Sequence, residues 1–304
     1  MAAELTEATV RVPCSTSNLG SGFDTLGLAL NRYLTASFVP HQADGLTVRR
    51  SGTLHELEHN GEDLVADAFS RSLECAGIRP TGVLEVTSTI PVARGLGSSA
   101  AATLAGADLA LAVQGLPRAD ENVFRAAYDL EGHGDNAAPC LWGGLRAVAQ
   151  GPDGPHVMAL DLSADVGFAY AAPSSGISTK AARSVLPDRV SHATAVRHLG
   201  LVISLVRGLA TADPQLIGIG VKDDLHVPHR LAMIENGDSA RRAGYDAGAW
   251  GVTVSGAGSG LIAICPTDRA PAIADAMRLA FSRSNGADAV GFAVRPDLEG
   301  LARL

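Results

Sequence analysis

The sequence predicts an α+β fold in two domains. Strand signals occur in hairpin-like runs as well as singly beside helices, helical signals follow them irregularly, and no βαβαβ succession of the kind a doubly wound sheet requires is present. The chain has 304 residues, about twice an average domain.

The elements follow in chain order. TEATVRVPCS alternates as a strand, and LTASFVP (34–40) and GLTVRRSG (45–52) repeat the pattern with β-branched residues. GEDLVADAFSRSLECAGI (61–78) spaces Leu64, Val65, Ala68, Phe69 and Leu73 as a helix face, with Gly77 as its stop. VLEVTSTIPVA (83–93) is a strand, and Ser98 to Val113 has the alanine and leucine content of a buried helix. A helix runs through RADENVFRAAYDLE to Gly132, APCLWGGLRAVAQ reads as a turn feeding a strand, and GPDGP (151–155) is a hairpin-like loop. DVGFAYAAPSSG is strand then loop, SHATAVRHLGLVISLVRGLA a long helix, GVTVSGAGSGLIAI (251–264) strand, glycine loop and strand, and APAIADAMRLAFSRSNG a helix. The domain change falls near 160, giving an N-terminal domain at 1–160 and a C-terminal one at 161–304.

Hydrophobic residues at 46% against 18% charged place the chain among globular proteins and argue against disorder. Its 24 Lys and Arg against 32 Asp and Glu leave a net charge of −8, which disfavours nucleic acid and anionic membranes as partners. Cys14, Cys75, Cys140 and Cys265 are widely separated, so neither a zinc quartet nor a disulfide framework is indicated. The N-terminal MAAELTEATVRV lacks a continuous apolar stretch, and no window reads as a run of about 18 apolar residues, so a cytoplasmic location is expected.

Three glycine-rich stretches are candidates for ligand binding. GLGSSA (95–100) formally matches GxGxx[GA], but it lies a third of the way along the chain. The acids that follow, Asp108, Asp120 and Glu121, fall within or after a helix, not at the end of a second strand, which excludes a dinucleotide fingerprint. No GxxxxGK[ST] occurs either. What remains is anion binding: glycines allow close backbone approach, and unpaired N–H groups at a helix start attract phosphate. Ser98 and Ser99 add hydroxyls, and a serine here can ligate Mg²⁺. The alternative is a small-residue turn for tight packing. NLGSGFD places Asn18 and Asp24 in a second glycine-rich turn, where such residues also commonly bond their own backbone, and VSGAGSG (254–260) is either an anion nest or a tight hairpin.

PVARGLGSSAAA resembles the signature loop of the small-molecule kinases named for galactokinase, homoserine kinase, mevalonate kinase and phosphomevalonate kinase, the GHMP family. With NLGSGFDTLGLAL, EGHGDNAAP, STKAARSVLP, DLHVPHR and SGAGSG, six blocks occur in order from residue 18 to 260 and resemble its homoserine kinase branch. The resemblance implies an N-terminal domain like ribosomal protein S5 domain 2, a ferredoxin-like C-terminal domain, a site between them, and a homodimer. It implies ATP-dependent phosphorylation of L-homoserine to O-phospho-L-homoserine for threonine biosynthesis. The alternatives are another hydroxylated amino acid or small alcohol as acceptor, or a non-catalytic ligand sensor.

The resemblance also implies residue roles. Pro91, Arg94, Gly95, Leu96, Gly97, Ser98, Ser99 and Ala100, with Gly256 and Gly258, would surround ATP, and Ser99 and Glu131 would hold Mg²⁺. Arg183 and Arg230 would grip the substrate carboxylate, which a guanidinium binds with two parallel hydrogen bonds. Asp24 would pair the ammonium, while Asn18, Asn136 and Thr179 would supply neutral contacts. Asn136 would align the acceptor hydroxyl, with Asp135 and His133 as rival proton acceptors. Three positions depart from the family's pattern: Asp63 stands where relatives carry an asparagine near the base, and Gly134 and Ser259 replace prolines.

Overall fold

A computed structural model describes residues 5–41, 45–56, 63–282 and 288–304. Its first sheet has seven strands. β1 (Ala8–Asn18) and β2 (Gly22–Pro40) form a long hairpin, with β3 (Leu46–Gly52) and β4 (Gly82–Ser88) beside β2 on one flank. β2 is long enough to serve two partners: Leu34 to Pro40 pairs with β4, and Leu26 to Leu28 pairs with β5 (Leu145–Gly151). The register of the β1–β2 pair shifts at Pro13, a residue that cannot donate to the ladder. The 151–155 loop joins β5 to β6 (Gly154–Leu160) as the expected hairpin.

Helices α1 (Leu64–Cys75) and α2 (Ser98–Ala112) cover this sheet. Nearly every α2 side chain from Ala100 to Ala110 is buried, which explains why this stretch is alanine-rich and lacks a polar face. A Cβ on Gly106 would stand 2.4 Å from the Val65 carbonyl oxygen, so α1 and α2 touch backbone to backbone. α3 (Asp120–Glu131) ends at left-handed Gly132 as its sequence predicts. The helix expected over 61–78 is observed from Leu64, Gly61 and Glu62 lying outside the described residues; of the helix expected over 270–286, residues 283–286 also lie outside them.

The second sheet orders β10 (Val290–Val294), β7 (Val166–Ala172), β9 (Leu261–Pro266) and β8 (Gly251–Val254), all antiparallel. β7 is buried along its whole length, with its two sides serving different cores. Phe168, Tyr170 and Ala172 join the large core shared with the first sheet, whereas Ala169 and Ala171 belong to a second core built with residues of α9 (Gly237–Asp246) and α10 (Ala270–Ser282). The strand's two-residue period thus fixes one sheet against the other.

Several elements were not apparent in the sequence: α4 (Ala137–Trp142), α5 (Thr179–Ser184), α7 (Pro214–Gly220), α8 (Val227–Leu231), α9, β6, β10 and β11 (Ala302–Arg303). Most are too short for a period to show. α6 (His192–Thr211) has a mean hydropathy of 1.3 over 18 residues, enough by length and composition to cross a membrane, contrary to the sequence reading. Here Leu201, Leu205 and Leu209 are buried on one side of it, while Leu199 and Ile203 are exposed on the other.

After β10 the chain returns to the first sheet, where β11 pairs with β1. Arg303 donates to both carboxylate oxygens of fully buried Asp108 at 2.9 and 2.6 Å, and to the Leu116 carbonyl at 2.6 Å. The Asp108 carboxylate depends on that guanidinium for its compensation. Replacing Arg303 with Met is expected to cost about 3 kcal/mol of stability in urea unfolding, and adding Asp108→Leu to recover most of it.

Candidate active site

Three glycine-bearing turns interlock where the two sheets meet. The Ser255 hydroxyl donates to the Gly95 carbonyl at 2.6 Å and pairs with the Thr16 hydroxyl at 2.9 Å. The Gly256 amide donates to the Ser17 carbonyl at 3.2 Å, and the Asn18 carboxamide donates to the Gly256 carbonyl at 2.9 Å. The 95–97 loop, the β1–β2 turn and the 255–260 loop thereby become one unit.

Gly95 and Gly97 have φ of 76° and 61°, the left-handed region that glycine enters without strain. A Cβ on Gly95 would fall 1.9 Å from the Ser255 carbonyl oxygen, and one on Gly97 would fall 2.3 Å from the Ser15 hydroxyl. α2 starts directly after Gly97, and the amide of Ala101 makes its first internal bond, to the Gly97 carbonyl at 3.0 Å. The amides of Ser98, Ser99 and Ala100 precede that bond and carry the helix's positive end. Ser99 donates to the Glu131 carboxylate through a short hydrogen bond. Burial pushes the Glu131 carboxyl above its ordinary range, while the Ser99 bond and His133 oppose the shift.

These groups line a cavity of about 640 Å³. One set of lining residues is apolar, with Leu34, Leu54, Val65, Val86 and Val92; another is polar, with Asn18, Asp24, His133, Asp135, Arg183 and Arg230. Gly95, Leu96, Gly97, Ser98, Ser99, Glu131, Asn136, Thr179, Gly256 and Gly258 complete the expected residues found there. Pro91 and Ala100 do not line it; both are buried behind the wall. Arg94 lines it, but its guanidinium donates to the carbonyls of Val92, Pro173 and Ser174. Asp63 caps α1 by accepting from the Val65 and Ala66 amides at 2.9 Å each, and its second oxygen accepts from Arg50 at 2.6 Å. At the position of the family's asparagine, both oxygens of this carboxylate are thus already bonded within the protein.

At the polar end, Arg183 donates to both oxygens of Asp24 at 3.0 and 2.8 Å. Arg230, almost wholly buried, is held by the carbonyls of Gly256 at 3.0 Å and Ala182 at 3.3 Å, and its Nη1 lies 3.4 Å from His226 Nδ1. Burial and the nearby Arg183 both lower the proton affinity of Arg230. The two guanidiniums lie 6.0 and 5.2 Å from the Phe23 ring, which stacks on His226 at 5.0 Å. Phe23 thus sits beside both guanidiniums at the polar end of the cavity.

Asn136 accepts from the Ser15 hydroxyl at 3.0 Å and donates to the Ser17 hydroxyl at 3.1 Å, so its amide orientation is fixed by β1. Asp135 is 1% exposed; one oxygen bonds His133 Nδ1 through a short contact, and the other has no hydrogen-bond partner among the described residues. Burial opposes protonation of His133, but the Asp135 bond and neighbouring carboxylates outweigh it and raise its pKa. Ser259, which replaces the family's proline, donates to the Ser175 carbonyl at 2.5 Å and so ties its loop down by a different means.

Sequence reading missed Ser15, Ser17, Phe23, Asp223 and His226. Ser15 and Ser17 alternate on one face of β1, a period-two signal present in CSTSN. Asp223 stands three residues before His226, a helix-capping spacing, and its carboxylate accepts from the amides of His226 and Val227 at 2.8 and 2.7 Å.

A glycine loop opening into a buried helix, beside a polar pocket lined from the β1–β2 hairpin, α5, α8 and the 256–258 loop, defines a small-molecule kinase of the GHMP type. Residues 63–144 match the family model described as GHMP kinases N terminal domain, and residues 205–283 match GHMP kinases C terminal; the chain belongs to the GHMP kinase family. Within that family it is similar to homoserine kinases. One from a Synechococcus strain is 38% identical over 276 residues, covering 88% of this chain and 87% of the relative. Another Synechococcus homoserine kinase is 37% identical over 297 residues, covering 95% and 91%. The crystal structure of homoserine kinase from Cytophaga hutchinsonii superposes with a TM-score of 0.86 at 29% identity, covering 100% of this chain and 99% of that one.

Two measurements test this description. Gly95→Ala is expected to cost roughly 2 kcal/mol or more and to weaken ATP binding at least tenfold in calorimetry, since the added carbon meets backbone and the φ is strained. His226 donates from Nε2 to the Gly20 carbonyl at 3.0 Å, and burial, aided by Arg230 against Asp223, pushes it from 6.5 down to about 4. Between these two pH values the unfolded chain takes up a proton that the folded one refuses, so stability falls as pH drops through this window. In His226→Gln the stability curve from pH 6.5 to 4 is expected to be flatter by about one proton.

Proposed function

We propose that this chain transfers the γ-phosphoryl group of ATP to the side-chain hydroxyl of L-homoserine, giving O-phospho-L-homoserine and ADP, a step toward threonine. The observation that carries this reading is the pairing, in one cavity, of a glycine-loop helix terminus with a receptor for both charges of an amino acid. The homoserine kinase relatives point to the same acceptor.

The apolar lining from β2, β4 and α1 suits the adenine ring, with Asp63 bracing the wall. The phosphates lie against the amides of Ser98 to Ala100, where dipole and donors both favour negative charge. Ser99 and Glu131 fit a magnesium site: a hydroxyl and a carboxylate in direct contact at the helix terminus, where a cation would hold the carboxylate ionised. When bound there, Mg²⁺ supplies charge neutralisation of the phosphate oxygens. Arg230 and Arg183 bind the substrate carboxylate, and Asp24 binds the ammonium. Asn18 contributes chiefly by joining the turn to Gly256, and Thr179 by bordering the pocket at the start of α5.

Phosphoryl transfer passes through a loose transition state, so alignment and charge stabilisation carry most of the rate. Asn136, fixed between Ser15 and Ser17, holds the acceptor hydroxyl, and its proton leaves through the γ-phosphate or water. His133 and Asp135 are locked to each other beside it, as the competing proton acceptors. We further infer a two-domain division near residue 160 with β11 returning to the N-terminal sheet, a cytoplasmic enzyme, and a homodimer. Turnover of homoserine with ADP release, against galactose, mevalonate and other amino-acid alcohols, tests the substrate, and faster turnover of another alcohol overturns it. Asp135→Asn is expected to keep kcat within about tenfold of wild type, whereas a loss of several thousandfold would identify Asp135 as the proton acceptor.

A further inference from the structure

Asp24 and Arg183 stand above as receptors for the ammonium and carboxylate of the substrate, yet in the structure they are bonded to each other. Arg183 Nη1 and Nη2 meet Asp24 Oδ2 and Oδ1 at 3.0 and 2.8 Å, the fork-to-fork geometry of a strong guanidinium–carboxylate pair. The bond reaches from the β1–β2 hairpin to α5, with the two side chains 33% and 37% exposed. Arg230 is arranged differently. Its Nη1 and Nε are fixed by Gly256 and Ala182, while Nη2 has no partner among the described residues and Arg230 lines the cavity. One arginine is therefore a fixed donor beside the pocket, and the other is already occupied by the acid that the same ligand must use.

On the functional reading above, we propose that substrate binding here is a charge exchange. The incoming ammonium replaces Arg183 on Asp24 while the incoming carboxylate replaces Asp24 on Arg183, so a ligand that carries both charges opens the internal pair and leaves neither side chain without a partner. The chemistry follows from counting partners. A lone ammonium that took Asp24 would leave Arg183 without its partner, and a lone carboxylate that left the pair closed would have only Arg230 to bind. A zwitterion re-pairs both. In an α-amino acid the two charged groups are attached to one carbon, so they can enter a single bidentate pair side by side. Phe23, beside both guanidiniums, gives Arg183 an aromatic surface to rest on as it changes partner. The ion pair thus favours the zwitterion over plain amino alcohols and hydroxy acids of matching length.

The exchange has a signature that a mere loss of contacts lacks: removing one member of the pair should improve binding of a ligand bearing only the matching charge. Calorimetric titration of the full chain with L-homoserine, γ-hydroxybutyrate and aminopropanol checks this in wild type, Asp24→Asn and Arg183→Gln. Both variants are expected to bind homoserine more weakly. Asp24→Asn should bind γ-hydroxybutyrate about tenfold more tightly than wild type, and Arg183→Gln should bind aminopropanol about tenfold more tightly. Thermal unfolding of each variant identifies folded protein, and if one does not fold, the other's arm decides alone. Single-charge ligands that bind the folded variants no better than wild type overturn the exchange. A wild type that neither binds nor phosphorylates homoserine overturns the functional reading instead, so the two failures are told apart.

Discussion

The site depends on the Ser255 hydroxyl donating to the Gly95 carbonyl. Through that bond and its neighbours at Thr16, Ser17, Asn18 and Gly256, three turns from distant parts of the chain are held at backbone-contact distance. The spacing is tight enough to exclude a Cβ from Gly95 or Gly97, and the helix terminus therefore faces the cavity with a fixed set of donors. Each bond contributes only about 1 kcal/mol net. Their joint effect is geometric, because a phosphate site loses its value when its donors wander.

Behind this unit the electrostatics are graded by burial. Buried groups are held by partners within the protein: Asp108 by Arg303, His226 by Gly20, and Arg230 by two carbonyls. Half-exposed groups such as Asp24 and Arg183 hold each other in a pair that water can help to open. Fixed charges sit where orientation matters, and exchangeable ones where ligands arrive.

Much of this was legible in the sequence. GLGSSA, the alanine run of α2, Gly132 and the 251–264 hairpin each follow from local chemistry, and the ordered blocks united them into one family. NLGSGFD reads as a glycine-rich turn from Asn18 to Asp24, whereas β2 already begins at Gly22 and runs on paired to β1 and β5. The glycines there mark close approach; at Gly27 a Cβ would stand 1.7 Å from the Asp135 carbonyl oxygen. Asp63 illustrates the opposite limit. Its position suggested a contact to the base, but capping α1 and pairing with Arg50 are tertiary facts that spacing alone does not carry. Phe23 and His226 were invisible for the same reason: they meet across some 200 residues of chain.

The return of β11 to β1 also has a consequence for how the protein is made. The strand that completes the first sheet is synthesised after the whole second sheet, so on the ribosome β1 waits with one edge unpaired and Asp108 without its cation until residues 295 to 303 emerge. The first sheet therefore reaches its final form only when the C-terminal residues are available, while β7 of the second sheet contributes Phe168 and Tyr170 to the shared core. The closure of the first sheet thus depends on a strand far from its partner in sequence.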